Sequence, residues 1–119
     1  MSVREIPVAQ WDPFLDEFSR EHRAWLASVE RAHPGAPAHL EVGERALRSI
    51  ETDAVTGIEI RLQGGTVRVE APKALRVEET EEGAARGLEI EDWSGERVRL
   101  RFRIAAPPGA LDGLAPLER

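Results

Sequence analysis

Five short segments in the second half of the chain alternate strictly between apolar and charged side chains: residues 58–62, 67–70, 75–78, 88–91 and 98–102. Side chains of a β-strand point to opposite faces in turn, so this pattern predicts strands with one apolar and one solvated face. Such strands are typical of antiparallel sheets, because parallel sheets are usually covered on both faces. Most of the chain is therefore expected to form an antiparallel sheet.

The segment before these strands has the period of a helix. Large apolar and aromatic side chains recur every three or four residues, and His22 shares their stripe: Trp11, Phe14, Leu15, Phe18, His22 and Trp25. We place the helix over residues 8–23, with Asp12 as the N-cap and Pro13 at the first helical position. The stripe supplies aromatic bulk that the strands lack, so the helix is expected to cover the apolar face of the sheet.

The two periods together predict a single α+β domain over residues 1–119. It consists of one N-terminal helix packed on a curled antiparallel sheet of about six or seven strands, and a half-open barrel fits the same pattern. We place the strands within residues 25–104, where residues 46–50 fit either a strand or a helical turn and we favour the strand. Residues 105–119 form a tail rich in Pro, Gly and Leu.

Glycine turns suggest how two pairs of strands are joined. A loop at residues 93–95 would join the strands at residues 88–91 and 98–102 and place Gly95 where the backbone is left-handed. It sets glutamates opposite arginines: Glu89 with Arg99 and Glu91 with Arg97. Residues 58–62 and 67–70 form an earlier hairpin. A Gly64–Gly65 turn between them aligns the apolar side chains but sets like charges opposite each other: Arg61 with Arg68 and Glu59 with Glu70.

Composition excludes several classes of function. The absence of cysteine rules out disulfides, thiol catalysis and thiolate metal sites. The net charge of −6 opposes binding to a phosphate backbone, so we expect no nucleic-acid partner. No apolar run is long enough to span a membrane, and the first residues do not resemble a signal peptide. We therefore expect a cytoplasmic protein with no membrane partner and no cofactor.

Four arginines alternate along the last strand, at positions 97, 99, 101 and 103. The register above neutralises Arg97 and Arg99 with glutamates and leaves Arg101 and Arg103 without an evident partner. Arginine forks suit anions, so Arg99, Arg101 and Arg103 are candidate ligands for a small anionic molecule. A solvated charged face is the alternative interpretation.

The three histidines are the side chains to consider for acid–base catalysis and metal binding. His22 with Asp16 is a candidate acid–base pair for a hydrolase or isomerase, and a core-edge histidine is the alternative interpretation, because His22 lies on the apolar stripe. His33 and His39, with Glu41, have the side chains of metal ligands, but their spacing matches no specific zinc pattern. We assign no catalytic residue and expect no metal.

Apolar side chains outside the regular pattern are candidates for contacts with another protein. Trp93 lies in a hairpin turn, where a large aromatic ring either folds back on the sheet or meets a partner. The tail carries leucines spaced by three, at Leu111, Leu114 and Leu117. These leucines are expected either to dock on the domain itself or to bind a sister subunit.

Two stretches of the chain carry a family resemblance. The first comprises Ile6-Pro7, Trp11, residues 14–20 and His22-Arg23, and the second comprises residues 76–78, 80–84, 88–91 and 100–103. They resemble a small uncharacterised bacterial family, domain-of-unknown-function family 5335. The resemblance implies a compact bacterial domain without an assigned activity, and it carries no catalytic residues to transfer.

The sequence thus favours a small, non-enzymatic domain that works through binding or self-association, with a homo-oligomer or another protein as its partner. A module for a small anionic ligand on the arginine-rich strand is the main alternative. The His22–Asp16 hydrolase or isomerase is the second alternative.

Overall fold

The computed structural model describes residues 2–53 and 57–106. This part of the chain is α+β, as predicted, and contains one α-helix and a single sheet of eight antiparallel strands. In chain order the elements are β1 (Ser2–Glu5), a 3₁₀ turn (Val8–Gln10), α1 (Trp11–Glu21), β2 (Leu26–Ala32), β3 (His39–Thr52), β4 (Gly57–Leu62), β5 (Gly65–Glu70), β6 (Pro72–Glu79), β7 (Ala85–Asp92) and β8 (Arg97–Ala106).

The estimate of six or seven strands was therefore too low. The strand that the sequence did not reveal is β1, whose four side chains are all exposed and do not alternate between apolar and charged types. The range of residues 25–104 for the strands was also too narrow, because β1 precedes it and β8 extends to Ala106, into the predicted tail. The strand interpretation of residues 46–50 is confirmed, because they belong to β3.

The strands follow one another in the sheet in the order β1-β6-β7-β8-β2-β3-β4-β5. Its two edges, β1 and β5, do not pair with each other, so the sheet is not closed. It nevertheless bends back on itself. Arg31 on β2 donates a hydrogen bond from Nη2 to the backbone oxygen of Arg68 on β5, at 3.2 Å, although β3 and β4 lie between these strands.

The helix is shorter than the predicted range of residues 8–23. It begins at Trp11, after the 3₁₀ turn, and ends at Glu21. Its N-cap is Gln10, so Asp12 lies in the first turn of the helix and the predicted N-cap was wrong. A carboxylate in the first turn still opposes the positive end of the helix dipole. The early end of the helix follows from the next turn, where Ala24 has a positive φ of 74°.

One stripe of the helix is buried in the core, at Trp11, Leu15, Phe18 and Ser19. The helix lies along the half of β3 that β2 does not cover, because β2 pairs with β3 only as far as Ala46. The apolar faces of the strands supply the rest of the core, including Leu75 on β6, Ile90 on β7 and Leu100 on β8. The prediction that the helix packs on the sheet is confirmed.

The predicted register of the last hairpin, between β7 and β8, is confirmed. Glu89 pairs with Arg99 and Glu91 pairs with Arg97. Gly95 has a φ of 93°, the left-handed conformation that the loop requires.

The register of the earlier hairpin differs from the Gly64–Gly65 turn. Leu62 pairs with Gly65, so the turn consists of Gln63 and Gly64, and Gly64 has a φ of 83°. This shift of the turn places Glu59 opposite Arg68 instead of opposite another glutamate. Opposite charges in facing positions stabilise a strand pair, whereas like charges destabilise it.

Candidate functional site

The face of the sheet opposite the core carries a row of alternating charges. The row crosses five neighbouring strands as successive backbone partners: Glu5, Arg76, Glu89, Arg99 and Glu30. We call these five residues the charge row. Glu89 lies at its centre, with one carboxylate oxygen 3.1 Å from Arg76 and the other 3.3 Å from Arg99.

Arg76 connects three strands through its guanidinium. It lies 3.1 Å from Glu91, 3.1 Å from Glu89 and 3.5 Å from Glu5. Burial alone would lower the pKa of Arg76, but its hydrogen bonds to Glu91 and Glu89 outweigh that effect and raise the pKa above its ordinary value. Glu89 on β7 therefore pairs with an arginine on each neighbouring strand, Arg76 on β6 and Arg99 on β8.

The predicted anion ligands do not form a set of three free guanidinium groups. Arg99 contacts Glu89 and Glu78, and Arg103 lies 3.9 Å from Glu44. Arg101 faces Gly87 and Ser28 on its neighbouring strands and makes no ion pair within the described ranges. Arg97 is likewise without an ion pair there, because the carboxylate of its backbone partner Glu91 binds Arg76.

His22 is enclosed in the core. Its side chain is only 1% exposed, and its ring lies against Phe18, Trp25 and Phe102. The Nδ1–H group donates a hydrogen bond to the backbone oxygen of Phe18 at 2.8 Å, whereas Nε2 has no partner in the described structure. Burial lowers the pKa of His22, which the Phe18 bond and the charge of Glu21 oppose only in part.

The acid–base pair considered from the sequence is not assembled. Asp16 is exposed on the helix and contacts Arg20 at 3.3 Å, whereas the ring of His22 points into the aromatic cluster. Ser19, the nearest hydroxyl on the same helix, is committed to the backbone of Ile50. The geometry therefore offers no basis for a hydrolase or isomerase that uses His22 and Asp16.

His33 and His39 belong to a network around Arg31. Arg31 contacts Glu41 through Nε at 2.7 Å and Glu96 through Nη1. His33 lies 2.7 Å from Glu96, and His39 lies 3.7 Å from Glu41. Across residues 2–53 and 57–106 there is no group of three or more His, Cys, Asp or Glu side chains that could hold a metal ion.

Trp93 lies on an ordered turn with 72% of its surface exposed. The carboxylate of Asp92 holds this turn by accepting hydrogen bonds from the backbone N–H groups of Ser94, at 2.9 Å, and Glu96, at 3.0 Å. The amine of Lys73 lies over the indole, 5.3 Å from the ring centroid. The predicted contact residues Leu111, Leu114 and Leu117 lie outside the described residues.

The two edges of the sheet differ in how they are covered. At the β5 edge, the guanidinium of Arg31 donates a hydrogen bond to the backbone oxygen of Arg68. At the β1 edge, Ile6 N–H bonds to Leu75 O at 2.8 Å. Because hydrogen-bonding directions alternate along an antiparallel strand, the backbone groups of Val3 and Glu5 point away from β6. Sequence reasoning missed this edge, since nothing in residues 2–5 has the pattern of a strand.

Comparison with known proteins yields a family but no relative of known function. A family model described as a family of unknown function (DUF5335) matches residues 2–111, a range that includes every described residue. No curated protein and no solved structure matches the chain. Among the helices described, none has the length and apolar character needed to cross a membrane.

Proposed function

The chain belongs to DUF5335, a family of unknown function, and we propose that it is a non-enzymatic interaction domain that associates with a second copy of itself through the free edge of β1. The observation that carries this proposal is the contrast between the two edges of the sheet. On β5, the Arg31 guanidinium binds the outward-facing backbone oxygen of Arg68, whereas the described residues contain no side chain that binds a backbone group of β1 in the same way.

An uncovered edge strand is a template for another strand. Its unpaired N–H and C=O groups can form main-chain hydrogen bonds with an extended segment of a second chain. All four side chains of β1 are exposed, and Val3 retains 55% of its surface. Pairing would therefore bury an apolar side chain and satisfy the outward-facing backbone groups together.

Only registers that pair the outward-facing residues Val3 and Glu5 with one another can form main-chain hydrogen bonds, and among these β1 is self-complementary in one. When two copies pair antiparallel about Val3, each Val3 faces Val3 of the other copy and Arg4 faces Ser2. Registers centred on Arg4 or Glu5 would bring like charges into direct opposition. The Val3 register also matches the outward direction of the Val3 backbone groups, and it produces a closed, two-fold dimer.

The charged side chains of β1 do not oppose this contact. Arg4 lies 3.4 Å from Glu79, and Glu5 lies 3.5 Å from Arg76. Each charge on the edge thus has an opposite charge on β6 in its own chain, which limits repulsion between two copies. Since only four residues pair on each side, the contact is small, and we expect a dimer that dissociates on dilution.

The experiment is analytical ultracentrifugation of the full chain across a dilution series, with native mass spectrometry to count subunits. Val3→Pro is the informative variant, because proline removes an N–H group that points away from β6 and edge strands tolerate it there. Trp93→Ala is the matched control, since it removes the most exposed large apolar side chain among the described residues and leaves the edge intact.

We expect a wild-type dimer that Trp93→Ala retains and that Val3→Pro dissociates without loss of secondary structure. A protein that is monomeric at every concentration would overturn the proposal. So would a dimer that survives Val3→Pro but is lost on Trp93→Ala or on substitution of Leu111 and Leu114 by serine, because the contact would then be made by the turn or the tail.

A further inference from the structure

We propose that an open concavity between the turn after α1, the middle of β3 and the β4–β5 turn binds a small phosphorylated molecule. The concavity has a volume of about 470 Å³. Its lining comes from the turn after the helix, from the middle of β3 and from the β4–β5 turn: Arg23, Ala24, Ala46, Leu47, Arg48 and Gln63. β1 contributes nothing to this lining, so the inference is independent of the proposed dimer.

The lining is positively charged on a chain that is negatively charged overall. Arg23 and Arg48 are both exposed, and neither forms an ion pair with any residue that the structure describes. No lining residue carries a carboxylate, although the chain has 22 acidic and only 16 basic residues. Two uncompensated guanidinium groups match the charge of a phosphate monoester, about −1.5 to −2 at neutral pH.

Two irregularities of the backbone meet at this concavity. Leu47 pairs with Leu62 while Ser49 pairs with Arg61, so Arg48 is the additional residue of a β-bulge. Bulges redirect side chains and are frequent next to functional sites. Ala24 adopts a left-handed φ of 74°, which is costly for a residue other than glycine, and its N–H bonds to Leu47 O at 2.8 Å.

The chemistry of the lining suits a phosphate with an attached polar group. Guanidinium forks donate paired hydrogen bonds to phosphate oxygens. The exposed side-chain amide of Gln63 both donates and accepts, which fits a hydroxyl group on the rest of the ligand. The volume is in the range of small-molecule sites, about 300–1,000 Å³.

The arginine strand is a poorer site for the same ligand. The cavity beside Arg97 and Arg99 has a volume of only about 120 Å³. Glu30 and Glu89 also line it, so carboxylates there compete with any anion for the arginines. Of the predicted ligands Arg99, Arg101 and Arg103, only Arg99 lines this cavity, so the three do not share one concave site there.

The test measures the unfolding temperature of the full chain as inorganic phosphate is raised, with chloride adjusted to hold the ionic strength constant. A ligand that binds only the folded state raises this temperature in a saturable way. The test variant is Arg23→Gln/Arg48→Gln. The matched control is Arg97→Gln/Arg101→Gln, which removes the same charge from two exposed arginines without ion pairs in the described structure. Circular dichroism confirms that both variants fold.

We expect a saturable rise for the wild type that the control retains and that Arg23→Gln/Arg48→Gln loses. In NMR spectra, the amide signals of Ala24 and Gln63 should shift with phosphate in the wild type and in the control, but not in Arg23→Gln/Arg48→Gln. A wild type without a saturable rise would overturn the proposal. It would also be overturned if the rise persisted in Arg23→Gln/Arg48→Gln or disappeared in the control, because the anion would then bind elsewhere.

Discussion

The hydroxyl group of Ser19 on α1 satisfies both backbone polar groups of Ile50 on β3. It accepts a hydrogen bond from Ile50 N–H at 2.8 Å and donates one to Ile50 O at 3.2 Å. Ser19 is 5% exposed and Ile50 is 2% exposed, so neither backbone group has water as an alternative partner. A single side chain therefore takes the place of a neighbouring strand where β2 has ended.

Replacement of Ser19 by alanine should lower the free energy of unfolding by about 1–3 kcal/mol. The reason is that Ile50 N–H and C=O would remain buried without partners, and an unmade hydrogen bond in the interior costs roughly that amount. Urea denaturation at neutral pH measures the change. Ser28→Ala is the control, because Ser28 is partly exposed on β2 and has no side-chain hydrogen bond in the described structure. Equal effects of the two substitutions would contradict this role of Ser19.

Replacement of Glu89 by glutamine should destabilise the sheet by about 1–3 kcal/mol. Glutamine keeps the shape of the side chain but removes the charge that two guanidinium groups share, and hydrogen bonds to charged groups contribute about that much. Glu44→Gln is the comparison, because Glu44 is half exposed and lies 3.9 Å from Arg103. Such surface pairs contribute about 1 kcal/mol at most. A Glu89→Gln protein as stable as Glu44→Gln would show that the charge row contributes little.

The stability of the protein should fall in acid because of His22. Burial lowers the pKa of His22 in the folded state, so below a pH of about 6.5 the unfolded chain binds a proton that the folded chain does not. Protonation then favours unfolding, and the stability that the neutral ring provides at higher pH is lost progressively as the pH falls below 6.5.

The measurement is the difference in unfolding free energy between the wild type and His22→Phe from about pH 8 to about pH 5, the span over which histidine titrates. Taking the difference removes the contributions of groups that both proteins share. Phenylalanine keeps an aromatic ring beside Phe18 and Phe102 but does not titrate. The difference should shift in favour of His22→Phe as the pH falls, and a difference that is independent of pH would contradict the prediction.

Much of the sheet could be predicted because local patterns determine it. Alternation located β4 to β8, and the Glu–Arg pairs of β7 and β8 agree with only one loop at residues 93–95. The register of the β4–β5 hairpin could not be determined from the apolar pattern alone. A turn at Gly64–Gly65 and a turn at Gln63–Gly64 place the same side chains on the apolar face. They differ in the charges that face each other, because only the second sets Glu59 opposite Arg68.

The features that the sequence did not reveal depend on strand order. Glu89 was predicted to compensate Arg99, which is correct, but β6 lies on the other side of β7 and brings Arg76 to the same carboxylate. Likewise, Arg23 and Arg48 line one concavity because the turn after the helix returns to β3, where Ala24 N–H bonds to Leu47 O next to the bulge. Such meetings are set by tertiary packing, which single-sequence patterns do not encode.

Gly87 on β7 should tolerate no side chain. A Cβ atom at this position would lie 2.0 Å from the backbone oxygen of Leu100 on β8 and 3.1 Å from the Cα atom of Arg101. Both are main-chain atoms, so the clash can be relieved only if β7 and β8 move apart next to the irregular pairing between Ala85 and Gly87. We expect Gly87→Ala to destabilise the protein by about 3 kcal/mol, the upper end of the usual range for overpacking.

Gly65→Ala provides the matched control for Gly87, because nothing lies within 4 Å of the point that an alanine Cβ atom would occupy there and the φ of Gly65 is not left-handed. An alanine at this position should be neutral or stabilise the protein by up to about 1 kcal/mol, since it reduces the entropy of the unfolded chain. Urea denaturation of the two variants measures both effects, and hydrogen exchange of β7 and β8 amides reports where the strands separate. If Gly87→Ala were as stable as Gly65→Ala, the close approach of β7 and β8 at Leu100 would be wrong.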